Sequence, residues 1–268
     1  MVQDAQRHGV EFLSADINLS HWDYHWLPKE DTSSVETVRM GLRQIQGVSE
    51  TRIIQALNER PESGFASIHE LRQSGLRDSD ISALARADAL QSIAGHRHQA
   101  HWQSVSISDQ QMPLFANVKD QPARELPAPH ESENIKADYE STGLTLGRHP
   151  LALLRNSPEL KNCVMAKDLI TCRSGQVLTL AGLVTCRQRP GTRSGVTFLT
   201  LEDESGNSNV VVWAHTARQF RQCFLTSNLL WVKGIVEIHE GVVHVIAGRL
   251  KDLSSLLSFS RLESRRFH

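Results

Sequence analysis

Residues 177–253 read VLTLAGLVTCRQRPGTRSGVTFLTLEDESGNSNVVVWAHTARQFRQCFLTSNLLWVKGIVEIHEGVVHVIAGRLKDL. Short runs rich in Val, Leu, Thr, Phe and Trp alternate with turn residues, and one helical pattern follows the third run. Five strands with a helix between the third and fourth is the layout of an OB-fold, a small Greek-key barrel that binds oligonucleotides.

Strand alternation assigns faces within this stretch. Thr197, Leu199 and Leu201 share one side of the second strand, and Phe198, Thr200 and Glu202 the other. The side with Thr200 and Glu202 is the wet one, so Phe198 is an aromatic on a polar face and suits base stacking. The first strand ends in Arg187 and Arg189, and the following loop adds Arg193, at the rim where the first loop of OB-folds meets nucleic acid. Trp213, at a strand end, suits either core packing or stacking. Trp231 reads as core. A helix over 216–225 turns Ala217, Phe220 and Phe224 inward to close the barrel.

Working towards the N-terminus, residues 136–171 look helical, with Pro150 opening a helix through Leu151, Leu153 and Leu154. Residues 103–135 are polar, with Pro113, Pro122, Pro127 and Pro129, and read as a flexible linker. One apolar island interrupts them. Its sequence Gln111-Met112-Pro113-Leu114-Phe115 fits the QxxLF form of peptides that dock in the bacterial sliding clamp, with Gln111 at the pocket rim and Leu114 and Phe115 inside it. The same two apolar residues equally suit pinning the linker to its own protein.

Residues 33–102 are helical in character. Val35, Val38, Leu42 and Ile45 predict an amphipathic helix, and a second runs over 50–59 with Ser49 as N-cap. Between them Gln46-Gly47-Val48-Ser49 makes a hairpin of helix-hairpin-helix type. The glycine permits close approach, and the amides of Gly47, Val48 and Ser49 face a phosphate, with Arg52 one turn on. A second hairpin around Gly75 carries Asp78 and Asp80 where phosphate would approach, so it is expected to be structural. In residues 1–32, His21, Trp22, Tyr24, His25 and Trp26 suit a metal or stacking role, or a loop packed on a neighbour.

The formal net charge of −1 makes no case for a polyanion partner, but its distribution does. From Cys172 onward there are twelve Arg and Lys against seven Asp and Glu, while 104–160 holds eight acids and five bases. The four cysteines form no CxxC pair, which argues against structural zinc and for free thiols in a reducing compartment. No signal peptide or membrane span is read, so a cytoplasmic protein is expected.

Arg7-His8-Gly9-Val10-Glu11, Asp16-Ile17-Asn18 and Trp22-Asp23 resemble the segment that ends the fingers of bacterial C-family DNA polymerases. Residues 41–48 (GLRQIQGV) and Ala87-Asp88-Ala89-Leu90 resemble their tandem helix-hairpin-helix domain. Asp138-Tyr139, Thr142-Gly143-Leu144, residues 147–151 (GRHPL) and residues 187–192 (RQRPGT) resemble the error-prone, damage-tolerant branch related to the polymerase III alpha subunit. The resemblance covers nearly the whole chain. It implies a DNA-directed DNA polymerase acting with other mutagenesis proteins in damage-induced translesion synthesis. It also implies three palm carboxylates holding two Mg²⁺ ions, yet no PDxDxD-like cluster occurs here. No catalytic residue is therefore assigned, no metal or cofactor is expected in this chain, and the resemblance implies a C-terminal fragment inactive by itself. Ser49 stands where family hairpins often carry a second glycine.

The expected fold class is α+β and multidomain: a tandem helix-hairpin-helix domain, then an all-β OB-fold barrel with one inserted helix. The expected divisions are 1–32, the end of a fingers-like segment; 33–102, the hairpin domain; 103–135, the linker; 136–171, a helical connector; 172–255, the barrel; and 256–268, a basic tail. The expected function is binding of duplex and single-stranded template DNA through Gly47, Val48, Ser49, Arg52, Arg187, Arg189, Arg193 and Phe198. The alternative is a protein-interaction module that recruits the clamp or mutagenesis proteins and has little DNA affinity. A third reading is an RNA-binding barrel of the tRNA-anticodon type.

Overall fold

In a computed structural model, residues 2–28, 35–110, 126–189 and 195–257 are described, with 106–110 described by backbone only. The clamp-peptide residues Gln111, Leu114 and Phe115, and Arg193, lie outside the described residues. The chain divides into two compact units, Met1–Gly147 and Arg148–His268. No helix among the described residues is long and apolar enough to cross a membrane.

The first unit opens with α1 (Val2–Arg7) and a three-stranded sheet of β1 (Val10–Leu13), β2 (His25–Trp26) and β3 (Glu36–Arg39). The central β3 runs parallel to β1 and antiparallel to β2. The amphipathic helix expected through Val35, Val38, Leu42 and Ile45 is therefore a strand followed by a 3₁₀ turn, Leu42–Gln44. Tertiary pairing overrides the helical period. The Leu42 and Arg43 amides donate to the His21 and Trp22 carbonyls, not to carbonyls one turn back. Gly41 permits this approach, since a Cβ there would lie 2.5 Å from the Trp22 carbonyl oxygen.

Among the described residues, six helices follow: α2 (Glu50–Asn58), α3 (Ile68–Gln73), α4 (Asp78–Arg86), α5 (Gln91–Ala94), α6 (Arg97–Gln110) and α7 (Glu131–Thr142). Their apolar faces and the first segment share one core, in which Ala15 and Ile17 join Leu42, Ile53, Ile68, Leu71, Ile81, Leu84 and Leu90. Burying each large aliphatic side chain contributes about 1.5–3 kcal/mol. Residues 2–28 thus pack into this unit, with no separate core among the described residues. The Asp16 carboxylate accepts the Ser92 amide at 3.0 Å and its hydroxyl at 2.7 Å. Asn18 and Phe65 bond through the Asn18 side chain and the Phe65 backbone in both directions. Helix α6 runs past residue 102 into the expected linker. The chain returns to α6 where the Leu126 amide donates to Gln99 Oε1.

The second unit begins with α8 (Pro150–Leu154) and a 3₁₀ turn, Ala166–Thr171. The closed barrel follows: β4 (Val177–Gln188), β5 (Val196–Asp203), β6 (Gly206–Trp213), β7 (Leu229–His239) and β8 (Val242–Asp252), in the order β4-β5-β6-β8-β7. Strand β4 is shared, pairing with β7 through its first half and β5 through its second, with an irregularity between Val184 and Cys186. Parallel pairing of β6 with β8 closes the barrel. The inserted helical pattern is two short helices, α9 (Ala214–Gln219) and α10 (Arg221–Thr226), broken at Phe220. Ala217, Phe220 and Phe224 face the barrel core as expected. Trp231 does not: it lies outside the barrel in a second cluster with Leu151, Leu160, Ala181, Leu183 and Leu229. Its place in β7, between inward Leu230 and Val232, points it outward.

Candidate nucleic-acid interface

The first candidate surface is the hairpin before α2. Gly47 has φ +90°, a left-handed conformation that favours glycine. The turn is braced by α7: the Gln46 amide donates to the Ser141 carbonyl at 2.7 Å, and Gln44 Nε2 to the Thr142 carbonyl at 2.6 Å. The amides of Gly47, Val48, Glu50 and Thr51 have no acceptor among the described residues. A helix N-terminus with unspent N–H groups attracts phosphate oxygens.

Ser49 and Arg52 are arranged differently from the expected cradle. Their donors turn inward to Asp80 at the N-terminus of α4. The Ser49 amide meets Asp80 Oδ1 at 2.9 Å, and Arg52 Nε meets Oδ2 at 2.6 Å. The Arg77 amide also donates to Oδ2, at 3.1 Å. One fully buried carboxylate thus accepts an N-cap amide from each hairpin, and ties the two together. Burial works against its charge, but the Arg52 guanidinium and the two amides prevail, and Asp80 titrates below the ordinary carboxylate range. Asp78 is held by Arg72 Nε at 2.8 Å. Carboxylates fill the second hairpin, where Gly75 repeats the φ of +90°.

The second surface is the outer face of the barrel. Phe198 is half-buried on it, with Leu199 and Leu201 inward. Register pairs continue a row from Phe198 to Val211 on β6, Ile246 on β8 and Ile235 on β7. Trp213 extends this face at the end of β6 and is 46% exposed. Arg189, after β4, is also exposed. Arg187 points elsewhere: its Nε donates to the Phe224 carbonyl at 3.0 Å, and a terminal nitrogen donates to the Ser227 carbonyl. Burial pulls its pKa below the ordinary guanidinium value. It caps the carbonyls at the end of α10, an arrangement that charge spacing in the sequence does not reveal.

The acidic run Glu202-Asp203-Glu204 is spent on structure. Asp203 accepts the Ser205, Gly206 and Ala166 amides, and Glu204 takes both Arg155 Nε and Nη2 at 2.7 Å. His21 and His25 stack edge-on with ring centroids 4.3 Å apart. Among the described residues, no group of three or more His, Cys, Asp or Glu is placed to hold a metal.

Residues 9–100 match the helix-hairpin-helix motif family, and residues 178–253 match the family described as OB-fold nucleic acid binding domain. The whole chain is 86% identical over 268 residues to an error-prone DNA polymerase of Idiomarina loihiensis and 42% identical over 269 residues to that of Vibrio parahaemolyticus. It spans 26% of the length of each of these relatives. Among solved structures, asparaginyl-tRNA synthetase from Pyrococcus horikoshii is 23% identical, with a TM-score of 0.30, over 34% of this chain and 23% of that one.

Proposed function

We propose, from its whole-length homology with the C-terminal 26% of error-prone DNA polymerases, that this chain holds DNA for such a polymerase during translesion synthesis in the cytoplasm. The hairpin unit takes the duplex backbone, and the barrel takes the single-stranded template. The observation that carries this reading is the row of unspent amides at Gly47, Val48, Glu50 and Thr51. Because Arg52 is neutralised by Asp80, attraction at the hairpin comes from these amides and the helix dipole. On the barrel, Phe198 offers a ring to a base and Arg189 a charge to a phosphate. Arg193, which follows Arg189 in the sequence, would add a second charge.

The test is fluorescence anisotropy on a labelled primed template across a salt series. Binding should weaken steeply with salt. Phe198→Ala should cost about 1–3 kcal/mol of single-strand affinity, the usual worth of one stacked base. Arg189→Ala should reduce the salt slope by about one. Arg187→Ala should instead lower the melting temperature of the barrel and leave the slope unchanged. Absence of binding at low salt would overturn the reading.

Catalysis and its Mg²⁺ are assigned to the polymerase palm, whose PDxDxD-like cluster does not occur in this sequence. Recruitment of the sliding clamp through Gln111, Leu114 and Phe115, and of other mutagenesis proteins, is a further part of the proposal and is supported by the QxxLF form of the sequence.

A further inference from the structure

The second unit has a cleft of about 510 Å³ whose apolar lining is Phe220, Trp231, Leu250 and Leu253. Glu159, Arg249 and Lys251 are its charged lining residues. The cations belong to a set on the outer face of the β7–β8 ladder. Lys251 lies opposite Trp231, and Arg249 lies opposite Lys233. All three cations are exposed, and none has an ion pair or hydrogen bond among the described residues.

We propose that this cleft docks an acidic segment of a partner protein carrying one bulky apolar side chain. The volume and apolar lining suit an anchor residue of that kind, since buried anchors in small pockets dominate recognition energy. The unpaired Arg249 and Lys251, with Lys233 beside them, meet carboxylates on the segment. Charge complementarity of this sort sets the orientation of docking and raises the association rate. Glu159, also in the lining, receives backbone N–H groups of the segment. A nucleic-acid strand needs successive aromatic platforms, and the cleft offers one indole. The proposal goes beyond DNA binding and uses none of the residues assigned to it.

The probe is a fluorescein-labelled peptide, a run of aspartates ended by leucine and phenylalanine, titrated into the full chain. Binding should weaken with salt. The double variant Arg249→Glu, Lys251→Glu should bind it about tenfold or more weakly, as should wild type with the peptide phenylalanine replaced by alanine. Both charges are exposed and unpaired, so the double variant should keep the wild-type melting temperature. A thymidine oligonucleotide should not displace the peptide, and Phe198→Ala should bind the peptide normally while losing oligonucleotide affinity. No binding at low salt, or equal binding by the double variant, overturns the proposal. Displacement by the oligonucleotide also overturns it and assigns the cleft to nucleic acid.

Discussion

Replacing Asp80 with alanine is expected to lower the unfolding free energy of the first unit by about 3–5 kcal/mol, the usual cost of removing one partner from a buried ion pair. Asp80 is wholly buried and accepts the Ser49 and Arg77 amides and two nitrogens of Arg52. Alanine leaves all of these donors facing a void. Arg52 is partly exposed and can turn to water. The two N-cap amides are fixed by the helices behind them and cannot. Urea unfolding followed by circular dichroism measures the loss. The Arg52→Ala, Asp80→Ala double variant should be less destabilised than the sum of the singles, because the two side chains share one interaction.

The same carboxylate gives a pH dependence of known sign. Its pKa is depressed in the folded state, so the stability it contributes is present above the unfolded aspartate value of about 3.9. That stability is lost as pH falls through the lower folded value. Asp88 slopes the opposite way, since burial raises its pKa. The difference in stability between wild type and Asp80→Asn isolates the Asp80 contribution, and should shrink as pH is lowered below about 4.

Gly41→Ala is expected to cost about 3 kcal/mol, at the upper end for overpacking. The added Cβ would meet the Trp22 carbonyl oxygen at 2.5 Å and the Tyr24 nitrogen at 2.7 Å, with the Asp23 carbonyl carbon closer still. All three are backbone atoms, so relief requires moving the chain between β1 and β2. The hydrogen bonds that the Leu42 and Arg43 amides donate to the His21 and Trp22 carbonyls would be lost with it. Thermal melting should show the first unit unfolding well below wild type, with the barrel transition unchanged. A melting temperature within a degree or so of wild type would mean that the 3₁₀ turn is not seated as described.

The barrel was legible because alternation has a short, local period. Leu199 and Leu201 go in and Phe198 comes out, as spacing alone predicts. The region around Val38 was not, because a helical spacing of apolar residues there is outweighed by two non-local strand partners. Trp231 packs against a core as read, but a second one, because an apolar layer from Leu151 and Leu160 covers the outside of β7. Within the candidate site, the glycine hairpin was visible as a motif. The destinations of Arg52 and Arg187 were not. A charge count cannot distinguish a guanidinium aimed at phosphate from one turned to Asp80 or to the Phe224 carbonyl.

The central claim is that backbone amides of the first hairpin hold duplex DNA while the β5–β6 face holds single strand. Amide chemical-shift mapping with the two ligands tests it most directly. A short duplex should move the Gly47, Val48, Glu50 and Thr51 resonances and leave the barrel unmoved. A thymidine oligonucleotide should move residues around Phe198, Val211 and Arg189. A duplex that leaves the hairpin amides unmoved, or an oligonucleotide that leaves the Phe198 region unmoved at low salt, would contradict the account.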